Sequence, residues 1–517
     1  MSAANAAIIV RRISSKRFPR TAAYAGSVVA LPIGTAIALA LSACAVGPYF
    51  HGAPPATTDG YTPGSPTANT TSIDVKGGEA QRFQFGGDLS GQWWALFASP
   101  SLNLLIEQAM ANYPDITAQQ AALRQARENV RAEAGVFFPQ LTGTLSGVRA
   151  KESGAGIAPG FPTFITNVYQ ANVNVSYTFD LFGAERRTLE GLQAQVEAQN
   201  FKLEASYLTL TSNVAATAIQ LAATRELLDA THQIIALEEK QLTIIERRVE
   251  LGGQTTADVL QQKTNLATVR ATLPPLQQQL ATIEHQLAVL TGQFPHDAPA
   301  IKLTLADLTL PKDLPVSIPS LLVAQRPDIR QQAAMLHQAS AAIGVATANM
   351  FPQLTLSGSF GGESLQFSSL LLPGSNTWSI VGGISQPLFE GGTLRAKRRA
   401  AIDAYDEASA EYRLTVLGAF QNVADTLTAL ANDAEALKAQ YEALNAAKAS
   451  LDLIQRQYDI GVANYVSLLN AQQSYQQARL AYVNAVAARY TDTVTLFQAV
   501  GGGWWHRNDP GTLPWLG

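Results

Sequence analysis

The chain has 517 residues, of which only 15% are charged, and its formal net charge is -4. An average soluble protein has about 25% charged residues. The weakly acidic balance excludes a basic nucleic-acid-binding protein. Hydrophobic residues make up 47% of the chain, which argues against intrinsic disorder. The single cysteine, Cys44, excludes a disulfide within the chain.

The N-terminus has the features of an export signal. Residues 1–43 contain five basic residues and no acidic one, and they end in a long apolar stretch. This order is typical of a secretory signal peptide, although an uncleaved transmembrane anchor is the alternative, since about 20 apolar residues span a bilayer. The last apolar residues, Leu41-Ser42-Ala43-Cys44, resemble a lipobox, the bacterial signal for attaching lipid to a cysteine. We therefore expect a lipoprotein signal peptide at 1–43 and a lipid anchor at Cys44.

The remainder of the chain is a tandem duplication. The sequence Pro-Asp-Ile occurs at 114–116 and 327–329, and Phe-Pro-Gln-Leu-Thr occurs at 138–142 and 351–355. Both pairs have the same separation, and later matches keep nearly the same one. Ordered matches at a constant separation indicate an internal repeat.

Each copy contains two segments in which apolar and polar residues alternate. Between Tyr169 and Phe179, for example, every second residue is apolar or aromatic and the residues between them are polar. Strands of about ten residues with this alternation cross a membrane as part of a barrel, whereas a half-buried soluble sheet is the alternative. We expect strands at about 138–150 and 168–180 in the first copy, and at about 351–361 and 377–388 in the second.

A heptad pattern follows the strands in each copy. Apolar residues recur every seven positions, which predicts long helices that pack as coiled coils. The absence of proline from about Ala184 to Glu250 allows one helix of about 100 Å. The heptad residues are Tyr207, Val214, Leu221, Leu228, Ile235, Leu242 and Val249 in the first copy, and Val416, Val423, Leu430, Leu437, Leu444, Leu451 and Tyr458 in the second.

Each long helix is followed by a glycine, Gly252 or Gly461, and then by a second helical segment. Each copy is therefore expected to contain a helix, two strands, a very long helix, a sharp turn and a returning helix. Pro274 and Pro275 should disturb the first returning helix.

Four membrane-length strands cannot close a barrel, because outer-membrane barrels have at least about eight strands. An open sheet edge in lipid leaves backbone groups without hydrogen bonds. Several chains must therefore share one barrel, with a polar lumen and an apolar face toward lipid.

These features together resemble the TolC-like outer-membrane factors, and most closely their lipoprotein branch, which serves resistance-nodulation-division (RND) efflux pumps. The resemblance rests on the lipobox cysteine, Val46-Gly47-Pro48-Tyr49, Trp93-Trp94 with Phe97, the duplicated Phe-Pro-Gln-Leu segments, the glycine turns and Gly501-Gly502-Gly503-Trp504.

The resemblance implies an α+β membrane protein built from a tandem repeat. The expected assembly is a homotrimer with a 12-stranded outer-membrane β-barrel, a 12-helix periplasmic α-barrel and a mixed equatorial domain. The expected divisions are a lipid-anchored tether and equatorial segment at 44–92, repeat 1 at 93–300, repeat 2 at 301–503 and a C-terminal tail at 504–517.

Members of this family are passive ducts that are closed at their periplasmic tips and are opened by a periplasmic adaptor (membrane-fusion) protein and an inner-membrane RND transporter. The exposed turns are therefore expected to dock the adaptor, although the simpler interpretation is that their polar residues only cap helices. The residues concerned are Gly252, Gly253, Gln254 and Thr255 in the first turn, and Gly461, Val462, Ala463 and Asn464 in the second.

The family's narrowest pore rings come from an apolar residue just past the second turn and an aspartate one helical turn later. The matching residues are Val466 and Asn470, with Tyr465 beside them, and Asn470 departs from the usual acid. Asp258, past the first turn, is the nearest acidic substitute, although an acid in the first turn of a helix is also favoured by the helix dipole.

The sequence contains no phosphate-binding loop, metalloprotease motif, nucleophile elbow or dinucleotide fingerprint. We therefore expect no enzyme activity, cofactor or metal site. The chain is expected to form a homotrimer and to bind the adaptor, the transporter and outer-membrane lipid. It is not expected to bind nucleic acid. A type I protein-secretion duct and a signal-anchored coiled-coil scaffold without a pore remain as alternatives.

Overall fold

The computed structural model describes residues 45–53, 58, 60–63, 68–153, 159–297 and 301–507. The signal segment, Cys44 and the end of the C-terminal tail lie outside these residues. The helices in the described part of the chain are α1 (Pro100–Asn112), α2 (Pro114–Ala134), α3 (Ala184–Glu250), α4 (Thr256–Ala271), α5 (Leu273–Leu290), α6 (Pro319–Gln325), α7 (Pro327–Ala348), α8 (Thr393–Asp459) and α9 (Tyr465–Ala499). The strands are β1 (Arg82–Phe85), β2 (Gln140–Glu152), β3 (Phe164–Phe179), β4 (Asp313–Val316), β5 (Gln353–Ser364) and β6 (Asn376–Ser385).

The two long helices, α3 and α8, each have 67 residues, which corresponds to about 100 Å at 1.5 Å per residue. The heptad residues of α3 are buried from Tyr207 to Ile235, and those of α8 are buried at Val423, Leu430 and Leu437. Burial of the seam stabilises these helices, because helices in water depend mainly on the packing of an apolar face. The predicted order of elements in each copy is confirmed.

The returning helices differ between the copies. In the first copy the helix is interrupted at Thr272, so that α4 ends at Ala271 and α5 begins at Leu273 with proline in its first turn. Pro274 and Pro275 are the physical reason, because a proline has no N–H to donate and clashes with the preceding turn. In the second copy α9 continues without a break over 35 residues.

Four strands form one antiparallel sheet in the order β2-β3-β5-β6. Within the described residues, β2 and β6 are the edge strands, and neither pairs on its outer side. A sheet with two free edges needs further strands to satisfy its backbone groups.

The register of this sheet separates apolar from polar side chains. Val173 pairs with Phe360, and Phe360 pairs with Trp378, so the three side chains lie on one face. The neighbouring residues Asn174 and Ser359 pair on the opposite face. Trp378 is 71% exposed, so this chain alone leaves the apolar face uncovered.

The main hydrophobic core lies beside the middle of the long helices. Trp93, Phe97 and Phe497 pack together with ring centroids 5.5–6.4 Å apart. Beside them, β1 and β4 form a parallel pair with Phe83 opposite Leu314. Arg489 of α9 is fully buried here, and its guanidinium donates to the carbonyls of Gly77 and Glu79.

Candidate functional site

Two sharp turns lie at one end of the long helices, and we call them the first tip (residues 251–255) and the second tip (residues 460–464). Gly252 and Gly461 have φ values of +75° and +79°, a conformation that favours glycine. At the first tip the N–H of Gly253 donates to the carbonyl of Arg248 at 2.8 Å, and at the second the N–H of Val462 donates to Gln457 at 2.8 Å. Each tip therefore satisfies the last carbonyls of its long helix.

Side chains on the far side of each tip cap the returning helix. The Thr255 hydroxyl accepts from the N–H of Asp258 at 3.3 Å, and Asp258 Oδ2 accepts from the N–H of Thr255 at 3.0 Å. In the second tip, Asn464 Oδ1 accepts from the N–H of Ser467 at 2.9 Å. The prediction that Thr255 and Asn464 cap helices is confirmed, and Asp258 completes a capping box.

Apolar side chains are exposed at both tips. Leu251, Ile460 and Val462 are each more than 70% exposed, and Gly253, Asn464 and Asn470 are also exposed while Ala463 is half-buried. A group of exposed apolar residues on a soluble surface is typical of an interaction site.

Polar contacts join the two tips within one chain. Gln254 Nε2 donates to the Tyr458 hydroxyl at 2.8 Å. The Arg248 guanidinium lies over the Tyr458 ring, 4.6 Å from its centroid, and its Nη2 is 3.5 Å from Asp459 Oδ1. The Tyr458 side chain is buried, and this burial raises its pKa.

The residues predicted to line a constriction differ in their exposure. Val466 and Asn470 are exposed, and Asp258 is half-buried. Tyr465, in contrast, is 5% exposed and packs against Ile245, Val259 and Leu468. Its ring is thus buried between helices of the same chain, and its place at a constriction stays a prediction.

A groove of about 420 Å³ lies on the side of the tips toward the strands, between α3, α8 and α9. Apolar residues and charges of both signs line it, including Leu237, Leu451, Lys240, Lys448 and Asp452. The surface of the groove is therefore partly apolar and partly charged. Asp459 also lines the groove and directly precedes the second tip, so the groove and this tip are continuous.

At the other end of the long helices, the segment 45–53 packs on the protein surface. The N–H of Val46 donates to the carbonyl of Phe182 at 3.0 Å, and the Tyr49 ring lies 4.8 Å from the Arg187 guanidinium. Gly47 approaches the backbone of Gly344 so closely that an added Cβ would lie 2.5 Å from the Gly344 Cα. Within the expected tether, Val46, Gly47 and Tyr49 therefore pack against the rest of the described chain.

Comparisons with known proteins agree with this geometry. The model of the family described as "Outer membrane efflux protein" matches residues 105–293 and 318–502. The chain belongs to the outer membrane efflux protein family. The solvent efflux pump outer membrane protein SrpC of Pseudomonas putida is 31% identical over 413 residues, which cover 79% of this chain and 86% of the relative. The pyoverdine export outer membrane protein OpmQ of Pseudomonas putida is 28% identical over 417 residues, which cover 80% of this chain and 88% of the relative.

Solved structures of efflux channels share the same fold. The outer-membrane channel OprN superposes with a TM-score of 0.79 at 27% identity, covering 89% of this chain and 100% of that one. The outer membrane protein VceC of Vibrio cholerae superposes with a TM-score of 0.75 at 26% identity, covering 80% of this chain and 100% of that one. The predicted TolC-like fold and family are confirmed.

This outer membrane efflux protein is a channel component of an efflux pump and not an enzyme. It lies in the outer membrane and extends into the periplasm. In the described part of the chain, no group of three or more His, Cys, Asp or Glu side chains could hold a metal ion. None of the helices described here is both long enough and apolar enough to cross a membrane.

One polar cluster near the tips of this channel was not predicted from the sequence. Glu238 of α3 is 3% exposed and accepts hydrogen bonds from Gln262 and Asn265 of α4. A signal was present, because Glu238 follows the heptad residue Ile235 by three positions, where a coiled coil places a second core residue. A charged residue at such a position points to a buried polar contact.

Proposed function

We propose that the channel is the exit duct of a tripartite efflux system of the RND type and works as a homotrimer. The sheet carries this proposal, because the outer edges of β2 and β6 are unpaired among the described residues and apolar side chains from all four strands share one face. Three copies would supply twelve strands, and edge pairing between copies would satisfy the backbone groups that lipid cannot. The polar faces of the strands would then line the lumen.

The helices support the same assembly. Leu414 and Leu417 of α8 are 70% and 59% exposed although they lie on a helix with a buried seam. A second copy packed against this side would cover them. The duct would be passive, because the chain carries no nucleotide-binding motif, and energy would come from the inner-membrane transporter.

We place adaptor docking at the two tips. Their exposed apolar residues and the adjoining groove offer the surface that an amphipathic helical partner recognises. A constriction would lie just inside the tips, with Val466 and Asn470 on α9 and Asp258 on α4 as the residues that narrow it. Partner binding would open the duct by moving the hairpins apart.

We also propose that Cys44 is lipidated and anchors the channel to the outer membrane. Ala45, the next residue, lies against Gly183, where an added Cβ would be 2.6 Å from the Ala45 Cβ. Gly183 is the N-cap of α3 and follows strand β3. Because β3 ends at Phe179, four residues earlier, Ala45 lies near the end of a strand of the proposed barrel.

The cargo would be small organic molecules. Relatives of similar length are named for the efflux of solvents, toluene and antibiotics and for the export of pyoverdine. A duct for whole proteins is the alternative, and no feature of the described residues favours it.

One experiment tests the assembly. The protein is purified from isolated outer membranes and analysed by electrophoresis with and without heating, and its conductance is measured in planar lipid bilayers. We expect a heat-sensitive trimer that conducts ions and that cross-links to its adaptor in cells. A protein found only in inner membranes, or a monomer without conductance, would overturn the proposal.

A further inference from the structure

Two basic side chains lie at the end of the sheet that is farthest from the long helices. We call the side of the sheet that carries Val173 the apolar face. Gly143 of β2 pairs with Val173 of β3, so it lies on this face. Because alternate residues of a strand point to the same side, Arg149 and Lys151 lie on the apolar face as well. Both residues are exposed, so the apolar face ends in positive charge.

The two basic residues lie just beyond the apolar band of this face. On β3 the apolar residues of the face run without interruption from Phe179 to Tyr169. Ten residues of a strand tilted by about 40° rise about 25 Å, which is the height of the apolar band of an outer-membrane barrel. Arg149 pairs with Asn167, two residues beyond Tyr169, and Lys151 lies still further from the helices. Both basic residues are therefore at the level of lipid headgroups.

Neither basic side chain has an anionic partner within the described part of the chain. Among the ion pairs of these residues, none involves Arg149 or Lys151. Glu152 follows directly, but the alternation directs it to the opposite face. The strands β2, β3, β5 and β6 have no acidic residue on the apolar face. This end of the face therefore attracts an anion from outside the chain.

The connection between β5 and β6, residues 365–375, folds onto the same face. Gly362 of β5 lies on the apolar face because it pairs with Ala171. A Cβ added at Gly362 would collide with the carbonyl oxygen of Leu370 in the connection. The Phe367 ring contacts the Tyr169 ring edge to face, with 5.7 Å between their centroids. The connection therefore packs against the apolar face and not across the polar one.

This connection supplies apolar surface where the strands have little. At its level the strand residues of the apolar face are small or polar, namely Gly362 and Ser364 on β5 and Asn376 on β6. Residues 365–375 contain no charge, and Leu371 is 89% exposed. The other exposed apolar side chains of the connection are Leu365, Phe367 and Leu372. Since Ser364 pairs with Tyr169, these side chains lie at the level of the acyl chains.

We propose that this surface, which we call the rim site (Arg149, Lys151, Tyr169, Phe367 and Leu371), binds a phosphorylated lipid of the outer leaflet. The inference rests on the proposed function, in which the four strands form part of an outer-membrane barrel. The phosphate contacts the two basic side chains, and the acyl chains contact the aromatic and leucine side chains.

The dimensions of the rim site fit one lipid molecule. Arg149 and Lys151 are about 7 Å apart along the strand, so one phosphate group can contact both, and a guanidinium binds phosphate through two parallel hydrogen bonds. The connection and β2 lie on opposite sides of β3, about 10 Å apart. A free phosphate would use only the basic residues, whereas a lipid with several acyl chains uses the whole surface.

The test measures binding of lipid A, the phosphorylated glycolipid of the outer leaflet, to the full-length channel in detergent by native mass spectrometry. EDTA is present, so that divalent cations do not neutralise the phosphates. Arg149→Gln with Lys151→Gln should weaken binding about 30-fold, because each basic residue beside an anionic lipid contributes about fivefold. Arg149→Lys keeps the charge and should bind with nearly wild-type affinity.

Lys302→Gln with Lys438→Gln is the matched control. Both lysines are exposed and lie outside the sheet, so this channel loses the same amount of charge and should bind lipid A as the wild type does. An equal loss of affinity in this control would show that net charge, and not the rim site, attracts the lipid.

A second lipid separates the phosphate from the acyl chains. Lipid A without phosphates should bind the wild type and the Arg149→Gln, Lys151→Gln channel with equal, reduced affinity. Leu371→Ser with Leu372→Ser should weaken binding of both lipids by the same factor, because it removes contacts with the acyl chains. Inorganic phosphate should not displace lipid A from the wild type.

The inference and the proposed function can fail separately. Equal affinity of the wild type and the Arg149→Gln, Lys151→Gln channel for lipid A would overturn the rim site, and so would displacement of lipid A by inorganic phosphate. The proposed function is judged on the wild-type channel alone, by its heat-sensitive trimer and its conductance, and neither measurement depends on lipid A.

Discussion

Gln254 of the first tip donates a hydrogen bond of 2.8 Å to the hydroxyl of Tyr458 at the end of the second long helix. The two residues belong to different copies of the repeat and meet only because the two hairpins lie side by side. The two hairpins are therefore joined at the tips by this hydrogen bond, by the cation–π contact between Arg248 and the same ring, and by the ion pair of Arg248 with Asp459 at 3.5 Å.

Tyr458→Phe is expected to loosen the tips. The substitution removes the acceptor for Gln254 and keeps the aromatic ring under Arg248. Loss of one neutral hydrogen bond should raise the open fraction by about two- to tenfold, measured as conductance in planar bilayers. Tyr475→Phe is the control, because the Tyr475 hydroxyl contacts only Arg479 one turn along the same helix among the described residues. Equal conductance in both variants would contradict a role for the Tyr458 contact.

Charges placed on the tips should block the adaptor. Val462 is 71% exposed, and an added Cβ at Gly253 would make an ordinary contact of 3.5 Å with the Arg248 carbonyl, so Gly253→Asp and Val462→Asp should fold. A buried unpaired charge at an interface costs several kcal/mol (roughly 2–5). We expect loss of adaptor cross-linking and of pump-dependent resistance, with normal amounts of trimer. His296→Asp, in an exposed turn after α5, serves as the control, and persistent cross-linking would remove the tips from the docking surface.

Asp258 caps a helix in the structure. A test of its role in ion selectivity therefore needs a substitution that removes the charge and keeps the cap. Asp258→Asn keeps an oxygen that can accept from Thr255 and removes the charge, whereas Asp258→Ala also loses the cap, at a cost of about 1 kcal/mol. If the carboxylates of three copies attract cations, Asp258→Asn lowers the cation-over-anion permeability ratio and Asn470→Asp raises it. Reversal potentials under a salt gradient measure both, and an unchanged ratio in Asp258→Asn leaves this residue with capping alone.

Lipidation at Cys44 should disappear completely in Cys44→Ser. The thioether to lipid needs the sulfur, and a serine hydroxyl does not replace it. Labelling of cells with radioactive palmitate, followed by purification, measures the attached fatty acid. Ser42→Ala keeps a small residue before the cleavage point and should remain labelled. Equal labelling of Cys44→Ser would show that Cys44 is not the anchor.

The sequence was sufficient for the elements that depend on local periodicity. The heptad spacing located α3 and α8, and the glycines at 252 and 461 located the tips, because helix length and left-handed turns depend on residues close in the chain. The alternation in β3 also predicted two-sided strands, and the register then aligned Val173 with Phe360 and Trp378.

Contacts between distant helices could not be predicted in the same way. The burial of Tyr465 against the first hairpin was not predicted. That burial depends on packing between residues about 200 positions apart, such as Tyr465 and Gln262, for which one sequence contains no signal. The contact between the tether and α7 was likewise not predicted, and Gly47 lies so close to Gly344 that an added Cβ at Gly47 would be 2.5 Å from the Gly344 Cα.

A pair of carboxyl groups beside the equatorial core should make stability depend on pH. Asp433 of α8 faces Asp492 of α9, with Arg489 and Glu79 nearby. Burial, together with the hydrogen bond and negative charge of Asp492, raises the pKa of Asp433 to about 7, although Arg489 opposes the shift. The folded pair therefore keeps a proton that the unfolded chain releases near the ordinary aspartate pKa of 3.8.

Because the folded state binds more protons between these two values, stability falls as pH rises from about 4 to about 7 and stays low above that range. Asp433→Asn cannot ionise, so it should raise the thermal midpoint at pH 8 by about 2 °C and at pH 5 by a smaller amount. Thermal unfolding of the purified channel at both pH values measures the difference. Asp425→Asn, at an exposed position of the same helix, should leave the pH dependence unchanged. If Asp433→Asn shows the same fall between pH 5 and pH 8 as the wild type, the shared proton is not at this pair.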